Sequence, residues 1–323
     1  MNSFRTEINC SPAQPISLND KILTIGSCFA DQFGQWLANN KFTVLANPFG
    51  TTYNPVSIHN LLLDAFDNNI DQNLFTERNG LWFHHAYHSQ FTANSKAELL
   101  TILQDVQKQV REFLQHVDVL IITYGTAWVY ELQSIHQLVN NCHKVPASQF
   151  SKKLLSVTEI IQSFNALVQT IKKIRPELRI LVTVSPVRHS KDTFELNTVS
   201  KSILRLACYE LQQHVDYFPA YEIMMDDLRD YRFYERDMLH PSAEARDYIN
   251  QKFSDRYFTA DTLKLIHTLN EIQKALAHKP FQITSAAHKH FLKDTLRKLE
   301  SIQHQVAVTT EIESVRAQLT AHA

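Results

Sequence analysis

The chain has 323 residues, 44% of them hydrophobic and 20% charged, which is enough apolar surface to fill a large core and too little charge for a disordered polypeptide. Lys and Arg (32) nearly cancel Asp and Glu (33), leaving a net charge of −1, so no strong field exists to gather nucleic acid or an anionic membrane. A small or neutral ligand fits better. The four cysteines, Cys10, Cys28, Cys142 and Cys208, are scattered without C-x-x-C spacing, which argues against a zinc knuckle or a disulfide framework. The polar segment Met1 to Gln14 lacks the apolar run of a secretory signal, and no run of about 18 apolar residues occurs. A cytoplasmic protein with reduced thiols and no membrane insertion is expected.

Lys21 to Ile25 reads as a short apolar strand ending at Gly26-Ser27, after which Phe29, Phe33, Trp36 and Leu37 recur at helical spacing. Phe42 to Leu45 reads as a second strand, and Pro55 to Phe66 opens as a helix does, with Pro first. Phe75 to His84, centred on Asn79-Gly80, predicts a hairpin with a type I′ turn. A helix over Lys96 to Gln115 leads into the apolar strand Val117 to Thr123, and a helix over Ser156 to Ile174 leads into the strand Arg179 to Val184. A helix over Thr198 to His214 precedes a last strand at Tyr217 to Tyr221, weakened by Pro219. This alternation predicts an α/β fold with a doubly wound, flavodoxin-like parallel sheet of five strands sandwiched by helices. Ala243 to Phe253 reads as a further helix, and from Asp261 onward the pattern is continuously helical. Leu292, Leu296, Leu299, Ile302 and Val306 form an apolar stripe that Ile312, Val315 and Leu319 continue. The expected organisation is an α/β domain over 1–258 and a helical extension over 259–323. The stripe would pack on the main domain or pair two copies as a homo-oligomer.

In an open parallel sheet, ligands bind at the carboxyl ends of the strands. Gly26-Ser27-Cys28, Asn47 to Asn54, Tyr124 to Trp128, Ser185 to His189 and Asp237 to Ser242 all follow predicted strands. Ser27 falls where a strand meets a helix, a place where backbone N–H groups favour an oxyanion and where a serine also serves as a plain N-cap. In Asp237-Met238-Leu239-His240 the spacing lets the carboxylate hold the imidazole Nδ1–H and leaves Nε2 to accept a proton from a hydroxyl.

Ile25-Gly26-Ser27-Cys28-Phe29-Ala30 reproduces the motif for which the GSCFA-domain family is named. Asn47-Pro48-Phe49-Gly50 and Asp237-x-x-His240-Pro241 also resemble that family, over roughly the first 250 residues. The family in turn resembles the SGNH/GDSL esterases and lipases, whose nucleophile lies in an early Gly-Asp-Ser block and whose base lies in a late Asp-x-x-His block. The resemblance implies an SGNH-like fold and a hydrolase acting on ester bonds, with Ser27 as nucleophile, His240 as base and Asp237 as its orienter. It implies no cofactor and no metal. The substrate would be a small-molecule or glycan ester, such as an O-acetyl carbohydrate.

SGNH enzymes usually place an Asn after the third strand, where this chain has Gly125-Thr126-Ala127-Trp128. Asn141 and Asn54 are the candidate replacements, and the backbone N–H groups of Ser27 and Gly50 are expected to complete the oxyanion site. Arg188, His189 and His88 are candidate substrate-binding residues; Arg188 would clamp a carboxylate or phosphate. Two rival readings stay open. Cys28 at a helix N-terminus would carry acyl transfer, or the fold would be a noncatalytic module that holds an acylated ligand.

Overall fold

The computed structural model describes residues 6–278, 282 and 285–321. In chain order the elements are β1 (Lys21–Gly26), α1 (Cys28–Asn39), β2 (Thr43–Ala46), α2 (Pro55–Asp67), β3 (Phe75–Arg78), β4 (Leu81–His84), α3 (Lys96–Leu114), β5 (Val119–Tyr124), β6 (Trp128–Leu132), β7 (Gln137–Val139), β8 (Phe150–Leu154), α4 (Val157–Ile174), β9 (Arg179–Val184), α5 (Phe194–Glu210), β10 (Asp216–Tyr217), α6 (Ala220–Glu222), α7 (Ala243–Tyr257), α8 (Ala260–Ala277), α9 (Ala286–Ile302) and α10 (Thr309–Ala321).

Five strands form a parallel sheet in the order β2-β1-β5-β9-β10, the flavodoxin-like order expected from the alternation of strands and helices. The apolar strands are covered on both faces, as right-handed crossovers require. Leu23, Ile25, Leu120, Ile122, Ile180 and Val182 point to the layer built by α2, α3, α4 and α5. Ile22, Val119, Ile121 and Leu181 point to the opposite layer, where Phe29 and Phe33 of α1 meet Ile249 and Phe253 of α7.

Three elements differ from the sequence expectation. The last strand is reduced to Asp216–Tyr217, because Pro219 cannot donate to the ladder and the chain turns into α6. Helix α5 starts at Phe194, four residues earlier than the pattern suggests, with Thr193 as its N-cap. The segment after β5, which carried no strand expectation, forms a small antiparallel sheet of order β7-β6-β8. The hairpin is as expected: Asn79 (φ 53°) and Gly80 (φ 77°) make the turn that pairs Arg78 with Leu81.

The C-terminal stripe packs largely within the tail, with Leu18 of the α/β part also against it. Leu292, Leu299, Ile302, Val306, Ile312 and Val315 are buried together with Leu265, Leu269 and Ile272 of α8. The Lys41–Glu311 ion pair and a hydrogen bond from Gln273 Nε2 to the Asn39 carbonyl (2.8 Å) tie the tail to the end of α1. Positions 279–281 and 283–284, within the stretch expected to be continuously helical, lie outside the described residues. No helix among the described residues is long and apolar enough to cross a membrane.

Gly26 fixes where the first strand can end. Its φ is +139°, and a Cβ built there would lie 2.1 Å from the Thr123 carbonyl oxygen. Gly26→Ala is therefore expected to force β1 and β5 apart and cost about 3 kcal/mol or more, measured as a fall in the urea unfolding midpoint with unchanged m-value.

Candidate active site

The loops at the carboxyl edge of the sheet are fastened to Gly26. The Asn47 side chain accepts from the Gly26 N–H at 3.0 Å, the Thr52 N–H donates to the Gly26 carbonyl at 2.8 Å, and the Ser27 N–H donates to Thr123 O at 3.2 Å. Asn47 itself is left-handed (φ 44°), a conformation that Asn tolerates better than most residues. The Asn-Pro-Phe-Gly turn is thus a brace that holds the strand end and the start of α1 in register.

Ser27 is fully buried, and its Oγ turns back to accept from the Phe29 N–H at 3.3 Å. It is the N-cap of α1. No hydrogen bond joins it to His240 among the described residues. Cys28 stands at the first position of α1. Its Sγ lies 3.5 Å from His240 Nε2. The contact at His240 Nε2 is with Cys28 and not with the expected Ser27.

The imidazole is held from behind. His240 Nδ1 lies 2.6 Å from Asp237 Oδ2, while Asp237 Oδ1 accepts from the Leu239 N–H (2.8 Å) and the His240 N–H (3.0 Å). Those two amides, with the His240 ring, bring the Asp237 carboxyl down to about 2. An ionised Asp237 takes the Nδ1–H and leaves the Nε2 lone pair facing the sulfur. The turn is anchored at both sides: Glu235 N–H donates to His240 O, Ser242 N–H to Phe233 O, and Arg188 N–H to Leu239 O. Ser242 then caps α7, so Asp237 to Ser242 is a positioned turn between a short bridge at Tyr234–Pro241 and a helix.

The surroundings of Cys28 pull in opposite directions. Burial holds its thiol above the ordinary value, with Asp31 adding to the rise, against the backbone amides of Phe29 and Cys28 and the charge of Lys201, which pull it down. The Cys28 N–H has no backbone acceptor among the described residues, as is usual in the first turn of a helix.

The other expected site residues fall in several places. The Ser27 and Gly50 N–H groups do not face an oxyanion: the first is in the sheet ladder, and the second donates to Asn47 O at 2.8 Å. Asn54 caps α2 with Oδ1 and donates Nδ2 to Ser57 Oγ at 2.9 Å, which commits its side chain to the helix start. Asn141 accepts from the His143 N–H and lines a cavity of about 710 Å³ with Tyr53, Trp128, His143, His189 and Lys191. His189 lies edge-on to Tyr53, with ring centres 5.3 Å apart. The Arg188 guanidinium sits 4.0 Å over the Tyr234 ring. His88 accepts from the Gln90 N–H and packs its Cβ where a side chain on Gly50 would go. Ala127 spends its N–H on Ser200 Oγ at 2.7 Å, so the position of the usual SGNH Asn supplies no donor.

His84, His85 and His143 are structural. Each donates to or faces a backbone carbonyl, of Asp71, Asn141 and His84 respectively. Burial pushes His84 and His143 down to about 4.

With this geometry in place, comparison with family models places residues 21–253 in the GSCFA family, and residues 269–321 match the C-terminal domain of GSCFA domain proteins. The chain belongs to the GSCFA family. No protein of curated function matches it. Among solved structures it is similar to a Streptococcus pneumonia protein described as a platelet activating factor, at 15% identity and a TM-score of 0.38, covering 73% of this chain and 83% of that one. It is also similar to a carbohydrate esterase family 3 protein from Talaromyces cellulolyticus, at 9% identity and a TM-score of 0.33, covering 78% and 99%. Likenesses this distant bear on neither reaction nor substrate.

Sequence reasoning gave Cys28 second place, although a signal was present. Counted from the glycine, Gly26-Ser27-Cys28 puts Cys28 where the Gly-Asp-Ser block puts its nucleophile.

Proposed function

We propose that this GSCFA protein is an acyl hydrolase or acyltransferase that acts through a thioester on Cys28. The observation that carries it is the chain of contacts from Asp237 through His240 to the Cys28 sulfur. His240 Nε2 takes the thiol proton as the sulfur attacks the ester carbonyl and a C–S bond forms. The Cys28 N–H donates to the oxygen that gains the charge. Collapse breaks the bond to the leaving alcohol, which receives the proton from His240. Water or a second alcohol then attacks the thioester, passing its proton to His240, and the proton returns to sulfur as the acyl group leaves.

The substrate is a small-molecule or glycan ester, with an O-acetyl carbohydrate as one member of that class, and the cavity beginning at Tyr53 and His189 receives the part beyond the reacting bond. The test is incubation of the full chain with short-chain p-nitrophenyl esters, followed by acid quench and peptide mass spectrometry. An acyl group on the Cys28 peptide, lost on longer incubation, is expected. An acyl group on Ser27 overturns the assignment. Binding without any acylation favours the second reading, a noncatalytic acyl-ligand module, which the absence of a donor at Ala127 supports.

A further inference from the structure

Arg188 and His189 follow β9 side by side and line different cavities. His189 lines the one of about 710 Å³ that it shares with Tyr53, whereas Arg188 lines a smaller one of about 220 Å³, walled by Met224, Met225, Tyr231 and Tyr234. Part of that wall is a single π turn, Ile223–Asp227, closed by the Leu228 N–H on the Ile223 carbonyl at 3.0 Å. This helix form is rare and recurs at functional sites. The cavity is fastened to the turn that carries the base: the Arg188 N–H donates to Leu239 O at 3.1 Å, and Tyr234 is bridged to Pro241, the residue after His240. The half-buried guanidinium lies 4.0 Å over the Tyr234 ring, with Tyr231 at 5.7 Å and Phe194 at 5.8 Å. Tyr231 and Phe194 are 69% and 54% exposed, so two of the rings around this cation stand open to solvent. No ion pair among the described residues includes Arg188. Asp230, the one acid in the cavity lining, is taken by Arg232 through Nε at 3.0 Å, Nη2 at 3.2 Å and the backbone N–H at 2.8 Å.

We propose that Arg188 is a specificity-determining residue: the ester carries a carboxylate, which Arg188 binds in this cavity while the ester carbonyl is presented to Cys28. This rests on the ester reaction at Cys28 and names its substrate class. A guanidinium stacked on a ring covers that ring with its face and keeps its N–H fork in the plane, where it matches the two oxygens of a carboxylate. Arg229, also in the lining, adds a second positive charge, and Met224, Met225 and Leu228 offer apolar surface to the carbons beside the carboxylate. A phosphate would meet the same fork, but its further oxygens would face thioethers and methyl groups in place of donors, which costs desolvation without return. The volume admits a carboxylate with a few carbons and is small for a whole ligand, so the rest of the substrate lies outside it.

Methionine methyl groups report on the site, since of the four methionines in the chain Met224 and Met225 line this cavity and Met238 lies on the 237–240 turn. The test titrates the full chain, as a Cys28→Ala variant that cannot form the thioester and labelled with [¹³Cε]methionine, with monomethyl glutarate. Dimethyl glutarate, the same skeleton without the charge, is the control. The Met224 and Met225 signals are expected to shift saturably with the monoester, at about millimolar concentration, and to stay in place with the diester. Adding Arg188→Gln should weaken binding about tenfold or more, and Arg188→Lys, which keeps the charge without the fork, should fall between. Absence of a saturable shift while Arg188 is present overturns the proposal without need of a variant. Equal binding of the diester, or unchanged binding in a cooperatively melting Arg188→Gln protein, overturns it too. Inorganic phosphate is the third probe, and tighter binding of phosphate than of the monoester overturns the carboxylate as the group recognised. The failures separate: carboxylate binding with no acyl group ever found on Cys28 keeps Arg188 and rejects the thioester, whereas acylation of Cys28 without carboxylate binding rejects Arg188 alone.

Discussion

Cys28→Ala is expected to lower acyl transfer by about a thousandfold or more, because it removes the atom that attacks while leaving the base and the fold in place. Ser27→Ala should do the reverse. Its hydroxyl caps α1 through the Phe29 N–H and is buried, so its loss should cost about 1 to 2 kcal/mol of stability. Activity per folded molecule should change by only a few-fold. Single-turnover acylation and urea unfolding on both variants give a crossed pattern: one loses rate and keeps its midpoint, the other loses midpoint and keeps its rate. Loss of acylation in a folded Ser27→Ala protein, with Cys28→Ala active, would return the nucleophile to Ser27. Cys28→Ser adds a graded case, since a hydroxyl in that place ionises far less readily than a thiol and leans wholly on His240.

The sheet could be read because its signal is one-dimensional. Val119 to Tyr124 and Ile180 to Val184 are buried on both faces, so they appear as mostly apolar runs, and the helices between them carry their own period. The β6 to β8 sheet has no such signal. Its strands are three to five residues long, and β8 holds two adjacent lysines, Lys152 and Lys153, with Lys152 lying over the Trp128 ring at 4.3 Å. Asp237 and His240 were legible because both sit on one turn and their geometry follows from spacing. The residue facing His240 was harder, since neighbouring residues differ by which way a side chain leaves a strand end. That direction is set by the N-cap of α1, a feature that a sequence pattern shared by Ser27 and Cys28 does not resolve. Lys201 was invisible. A lysine in an amphipathic helix reads as solvated, and what buries it are the Gly125 and Ser185 carbonyls, 76 and 16 residues away.

The second large effect is expected at the base and its orienter. His240→Ala should approach the loss seen for Cys28→Ala, and the Cys28→Ala/His240→Ala double variant should be no worse than either, because the two act on one proton transfer. Asp237→Asn is the more informative change. Its Oδ1 can still accept from the Leu239 and His240 amides, so the turn should survive. An amide nitrogen in place of Oδ2, however, presents a donor to Nδ1, which makes Nδ1 the acceptor and places the ring hydrogen on Nε2, facing Cys28. The ring stays in position in the wrong tautomer. A loss of about a hundredfold to ten-thousandfold in acylation is expected, with a urea midpoint close to wild type. Cys28 should still react with iodoacetamide, a small electrophile that needs the thiolate but no proton delivered to a leaving group. Asp237→Ala offers no donor to Nδ1 and leaves the ring free to choose its tautomer, so it should keep more activity than Asp237→Asn despite a looser turn. If the alanine variant were instead the less active of the two at equal folded fraction, Asp237 would act mainly through the shape of the turn, and the tautomer would not be what it controls.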